Sequence, residues 1–201
     1  MKFIPSLALG LFIAASVHAA EIDRAAAALA GSEASFTQRF TPKGFTKTQS
    51  ESGTVVFGNL PQMRWSYSRP EEKLFVFDGS RSWFYVPADK QVTVTTLDDS
   101  RKSELPFLLL GDPAARERNF VVSETAKGGS VVATLKPKSG SAMIRNVVVT
   151  INPSTHAITS VAYADREGNQ TVFDFSGFRK RSTSGEMFRF VAPAGVQVVQ
   201  Q

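Results

Sequence analysis

The sequence predicts a mainly β protein with a few short helices, built on one large curved antiparallel sheet. Three observations predict it. Short apolar segments recur between turn residues, few stretches show helical spacing, and connections are too brief for crossover helices. The 201-residue chain also holds sixteen Phe and two Trp, a heavy aromatic load for so little helix.

The elements follow in order. Lys2 precedes an apolar run, Phe3 to Val17, broken only by Pro5, Ser6, Gly10 and Ser16, and Val17-His18-Ala19 offers a cut site. This is the layout of a secretory signal cleaved after Ala19, too short for a comfortable membrane span. Residues 1–19 are therefore expected to be removed, leaving residues 20–201 as a single soluble domain. Glu21–Ala30, with its alanine run and Leu29, reads as an opening helix stopped by Gly31. Strands are expected at Ser35–Phe40, Gly53–Phe57, Met63–Ser68, Lys73–Asp78, Ser82–Val86 and Gln91–Thr96. A leucine-rich helix follows around Leu105–Gly111, after Asp98-Asp99-Ser100. Asp112-Pro113 opens one more turn, because proline suits the first helical position. Further strands are expected at Phe120–Thr125, Ser130–Lys136, Ile144–Asn152, Ile158–Ala164 and Gln170–Phe178. About eleven strands paired in succession must curl rather than lie flat.

Alternation assigns faces. Met63, Trp65 and Tyr67 point one way, and Arg64, Ser66 and Ser68 the other. Phe36, Gln38 and Phe40 share a face, as do Thr171, Phe173 and Phe175. Lys73–Asp78 and Ser82–Val86 are apolar on both faces and need cover on both sides, with the opening helix expected on one. The pattern points to a concave apolar surface that short helices only partly fill.

Composition excludes much chemistry. The chain has no cysteine and two histidines, of which His18 leaves with the signal and His156 sits in a turn. Ordinary zinc sites and Cys–His dyads are therefore not expected, and no Gly-x-Ser-x-Gly elbow supplies a triad serine. Glu71-Glu72 and Asp98-Asp99 lie in loops, where adjacent residues make poor acid–base couples. No metal, cofactor or catalytic residue is expected. The formal net charge is +5, but basic residues are spread along the chain and the aromatics lie on strands, so nucleic acid is not an expected partner. Without cysteine the chain lacks disulfides and the lipid attachment residue of a lipoprotein, and the expected compartment is the periplasm.

Several segments resemble the periplasmic lipoprotein carrier family, LolA. They are Gly53-Thr54-Val55-Val56-Phe57-Gly58-Asn59-Leu60-Pro61-Gln62-Met63-Arg64-Trp65 and Val76-Phe77-Asp78-Gly79-Ser80-Arg81-Ser82-Trp83-Phe84-Tyr85-Val86-Pro87. Ser35-Phe36-Thr37-Gln38, Pro106-Phe107-Leu108-Leu109-Leu110 and Phe190-Val191-Ala192-Pro193-Ala194-Gly195-Val196 follow the same order. The resemblance implies an unclosed β-barrel with a helical lid over an apolar cavity. It also implies a monomeric carrier that takes acylated lipoproteins from an inner-membrane ABC exporter to an outer-membrane acceptor. Together with alternation it assigns the acyl-chain cavity to Phe36, Phe57, Met63, Trp65, Tyr67, Phe75, Phe77, Trp83, Tyr85, Phe173 and Phe175. The lid is Leu105, Phe107, Leu108, Leu109 and Leu110, expected to fill part of the cavity until cargo displaces it. The family commonly carries Arg-Pro six residues before this tryptophan, an arginine that bonds the lid; Asn59-Leu60 stand there, making Asn59 the latch-equivalent position. That departure leaves room for another amphiphile, a glycolipid or lipid intermediate, as cargo. A lipoprotein-sensing module is the remaining alternative, although such proteins usually append a second domain.

Overall fold

The computed structural model describes residues 20–98, 105–139 and 143–201. The expected signal segment 1–19 lies outside them, as do Asp99 and Ser100.

Helix α1 spans Ala20–Leu29. Its first amides, Glu21 N–H and Ile22 N–H, donate to the Glu124 carboxylate at 3.2 and 2.8 Å, satisfying groups that a helix start leaves unpaired. Gly31, at φ 63°, turns the chain out of the helix.

Six strands follow: β1 (Ser32–Thr41), β2 (Gln49–Phe57), β3 (Met63–Arg69), β4 (Lys73–Phe77), β5 (Arg81–Val86) and β6 (Gln91–Thr96). Two short helices, α2 (Pro106–Leu110) and α3 (Pro113–Asn119), precede β7 (Phe120–Lys127), β8 (Ser130–Pro137), β9 (Ile144–Ile151), β10 (Ile158–Asp165) and β11 (Gln170–Lys180). A 3-10 turn at Gly185–Phe188 and a last strand, β12 (Gln197–Gln200), complete the described chain. All the expected strands form, most of them longer than expected.

The twelve strands make one sheet in the order β12-β6-β5-β4-β3-β2-β1-β11-β10-β9-β8-β7. Its ends do not meet, so the sheet is curved and unclosed. The expectation of one unbroken meander is corrected in two respects. The helical segment after β6 carries the chain to the opposite edge, so β6 and β7 do not pair, and the two meanders join instead through β1 and β11. Strand β12, which periodicity did not reveal, pairs with β6 in parallel, Gln197 beside Gln91.

One face of the sheet carries the main core. Phe36, Phe57, Met63, Trp65, Phe77, Phe173 and Phe175 are buried there with α1 and α2, and Tyr67 and Phe75 pack against them. The opposite face of β2 and β4–β6 carries a second cluster containing Val56, Val76, Trp83, Val92 and Val94. Its cover is the C-terminal segment, whose Met187, Phe188, Phe190, Ala192 and Val196 lie on it. α1, expected over one face of β4 and β5, packs near β1, β8, β9 and α2.

Candidate functional site

The core of the site is a cluster of rings raised by alternation. Phe36 on β1 meets Trp65 and Tyr67 on β3, each at 4.9 Å between centroids. Trp65 in turn lies 5.2 Å from Phe173 and 6.0 Å from Phe57. Most of these pairs are edge-to-face or tilted, the arrangement that ring quadrupoles favour. Tyr67 gives the cluster a polar handle: its hydroxyl donates to Gln38 Oε1 at 2.8 Å, and burial pushes its phenol above the ordinary range.

Two expected cavity residues lie elsewhere. Across β4 and β5, Val76 pairs with Trp83 and Leu74 with Tyr85, which puts Trp83 and Tyr85 on the outer face. Tyr85 rests there against Phe190, 5.2 Å between rings. Phe84, paired with Phe75, takes the inward side at the sheet margin and stays 41% exposed.

Strand β11 breaks its alternation at one point. Ser35 faces Ser176 and Glu33 faces Arg179, so Gly177 and Phe178 together oppose Ala34. Gly177 has φ 65°, the left-handed glycine of a β-bulge. The extra residue returns Phe178 to the side of Phe175, with the two rings 6.1 Å apart.

Helix α2 lies over the ring cluster. Proline begins it, and Leu108, Leu109 and Leu110 are buried. Phe107 enters the cluster at 4.7 Å from Trp65, 5.0 Å from Phe173 and 5.9 Å from Phe175. Leu105 differs from expectation: it precedes the helix, extended and 36% exposed, and does not fill the interior. The internal void bounded by Leu29, Phe57, Phe107, Leu110, Ile158, Phe175 and Phe178 does not admit a water molecule. Side chains of the protein itself occupy the space.

Polar contacts fasten α2 from one side. Arg116 on α3 is 1% exposed; its Nη1 donates to the Leu109 and Leu110 carbonyls at 3.1 and 3.4 Å, and its Nη2 pairs with Asp23 of α1. These are carbonyls that a helix end leaves without partners. Asn59, the latch-equivalent position, has an exposed side chain, and its carbonyl accepts from Gln62 N–H at 3.0 Å in a tight turn. The following residue meets the lid by shape. A Cβ on Gly111, just after α2, would stand 2.7 Å from Leu60 Cβ. Glu21 ties α1 to the β9–β10 turn through His156 Nδ1 at 2.5 Å. That bond, more than the one from Arg24, holds the Glu21 carboxyl below its ordinary range.

Residues 27–191 match the family model described as outer membrane lipoprotein carrier protein LolA. The chain belongs to the LolA family. An outer-membrane lipoprotein carrier protein of Aliivibrio salmonicida (strain LFI1238) is 33% identical over 85% of this chain and 84% of its own length. One of Xanthomonas axonopodis pv. citri (strain 306) is 29% identical over 96% of this chain and 94% of its own. Among solved structures, an uncharacterized conserved protein from Thermus thermophilus matches with a TM-score of 0.55 at 13% identity, covering 90% of this chain and 98% of that one. That likeness concerns the fold. The LolA match begins in the last turn of α1 and runs through both meanders, α2, α3 and the 3-10 turn, so every strand that supplies the ring cluster lies within it.

Proposed function

We propose that this LolA-family protein is a non-enzymatic periplasmic carrier that shelters the acyl chains of lipoproteins between its sheet and α2. It receives them from an inner-membrane ABC exporter and passes them to an outer-membrane acceptor. The observation that carries this reading is Phe107, a residue of a five-residue helix, lodged among Trp65, Phe173 and Phe175.

Energetics explain why a filled interior suits a carrier. Each methylene removed from water is worth about 0.8 kcal/mol, so one long chain gains on the order of 10 kcal/mol. A rigid vacant pocket would hold such a chain too tightly to release it. A lid that occupies the site competes for it, and exposing each leucine costs about 1.5–3 kcal/mol. The net affinity is the difference between these terms, which makes handover possible. In this reading Phe36, Phe57, Met63, Trp65, Tyr67, Phe75, Phe77, Phe173 and Phe175 contact hydrocarbon after Phe107 and Leu108–Leu110 move aside. Trp83 and Tyr85 hold the C-terminal cover instead.

Mass spectrometry of organic and peptide extracts from protein purified out of its own periplasm tests the proposal. Diacylglyceryl-modified polypeptides are the expected cargo. Free glycolipid alone would reassign the cargo, and protein free of any acylated molecule under export-competent conditions would overturn the carrier reading.

A further inference from the structure

Phe178 has a second neighbour besides the ring cluster. On its other side, α1, the β9–β10 turn and β11 enclose an open cleft of about 260 Å³. Ala25, Ala28, Leu29, Ala157 and Phe178 form its apolar part, and Ser32, Thr155, His156, Arg179 and Lys180 form the rest of its lining. The same Leu29 and Phe178 line the internal void beside Phe107 and Leu110. These two side chains are therefore the wall between outside and interior.

The wall is uneven. Leu29 is 3% exposed and anchored in α1, whereas Phe178 is only half-buried. Partly exposed side chains change rotamer on a picosecond-to-nanosecond scale. Regular alternation from Phe173 and Phe175 would have put residue 177 at the wall and aimed residue 178 away from it. The bulge at Gly177 reverses this, placing a large ring where a glycine would have left a gap. The cleft lies just below the roughly 300–1,000 Å³ of common ligand sites, too small for storage but wide enough for a slender chain.

We infer that this cleft is the portal through which a single acyl chain passes into the interior, and that Phe178 is its gate. The inference rests on the carrier reading: a chain end slides between Ala28 and the β9–β10 turn, turns the Phe178 ring, and then meets Phe107. The occupant is hydrocarbon because the void behind Leu29 and Phe178 is bounded by apolar side chains, whatever polar groups stand at the cleft outside it.

Stopped-flow fluorescence with cis-parinaric acid, a slender fatty acid that brightens in apolar surroundings, tests it on the full mature chain. Ala28 is half-exposed, so Ala28→Trp fills the cleft from the surface without disturbing the core. Association should slow at least ten-fold with the final signal unchanged. Phe178→Ala opens the wall and should speed association several-fold. Far-ultraviolet circular dichroism checks that both variants fold, and either one alone decides the matter. Wild-type association rates in the folded variants would overturn the portal while leaving the carrier reading intact. A wild-type protein that binds no parinarate at all would overturn the carrier reading itself.

Discussion

The Arg116 guanidinium donates to the Leu109 carbonyl at 3.1 Å, joining α3 to the C-terminal end of α2. A nearly inaccessible charge thus holds the backbone of the helix whose Phe107 enters the ring cluster. Removing it leaves buried carbonyls without donors, at a cost of about 1–3 kcal/mol. Asp23 keeps water as a partner, because its side chain is 51% exposed. Arg116→Met should lower Tm by several degrees in differential scanning fluorimetry, at about 2–4 °C per kcal/mol. The same loss weakens the closed arrangement, so parinarate affinity should rise about ten-fold. Asn59→Ala, at an exposed turn position, should change stability by less than about 0.5 kcal/mol and leave affinity as it was. Equal effects of the two substitutions would refute this assignment of the fastening.

Phe107 is expected to compete directly with ligand. Its ring meets three others, and aromatic pairs are worth about 0.5–1.5 kcal/mol each beyond burial. Phe107→Ala should destabilise the protein by less than the roughly 3–5 kcal/mol of a fully buried phenylalanine, because Phe107 is half-buried. It should also bind a fluorescent fatty acid at least ten-fold more tightly in equilibrium titration. Weaker binding would mean that Phe107 holds ligand rather than displacing it.

Acid sensitivity has a local source at Glu21. Its folded carboxyl titrates below the ordinary value of 4.5, chiefly because His156 donates to it. The stabilisation is complete above 4.5 and is lost as pH falls through the depressed folded value. His156→Ala should therefore reduce the urea midpoint at about pH 5.5 and flatten the further fall towards about pH 3.5. An acid limb as steep as that of the wild type would show that other carboxylates dominate it.

The sheet and its inward aromatics were legible because period-two alternation is a local signal. Met63, Trp65 and Tyr67 needed no knowledge of distant chain. Trp83 and Tyr85 were ambiguous because Phe84 is apolar too, so either set could have faced inward. The deciding fact is Phe188 and Phe190 on the outer face, about a hundred residues away. Arg116 and Arg118 occupy similar sequence surroundings, yet one is buried and the other exposed; only the meeting of α1, α2 and α3 separates them. The bulge did leave a trace, since glycine inside a strand often marks one, and alternation read straight through Gly177 misses Phe178.

The β1–β11 seam has a consequence for how the chain reaches this shape. Glu33 pairs with Arg181 across 148 residues, whereas the strands on either side are joined mostly by hairpins. Closing a loop that long costs about 3 kcal/mol more conformational entropy than closing a hairpin of about four residues. The two meanders can therefore order as separate ribbons during synthesis or translocation. They become a single sheet only after the last part of the chain arrives, so the interior takes form at the end of folding.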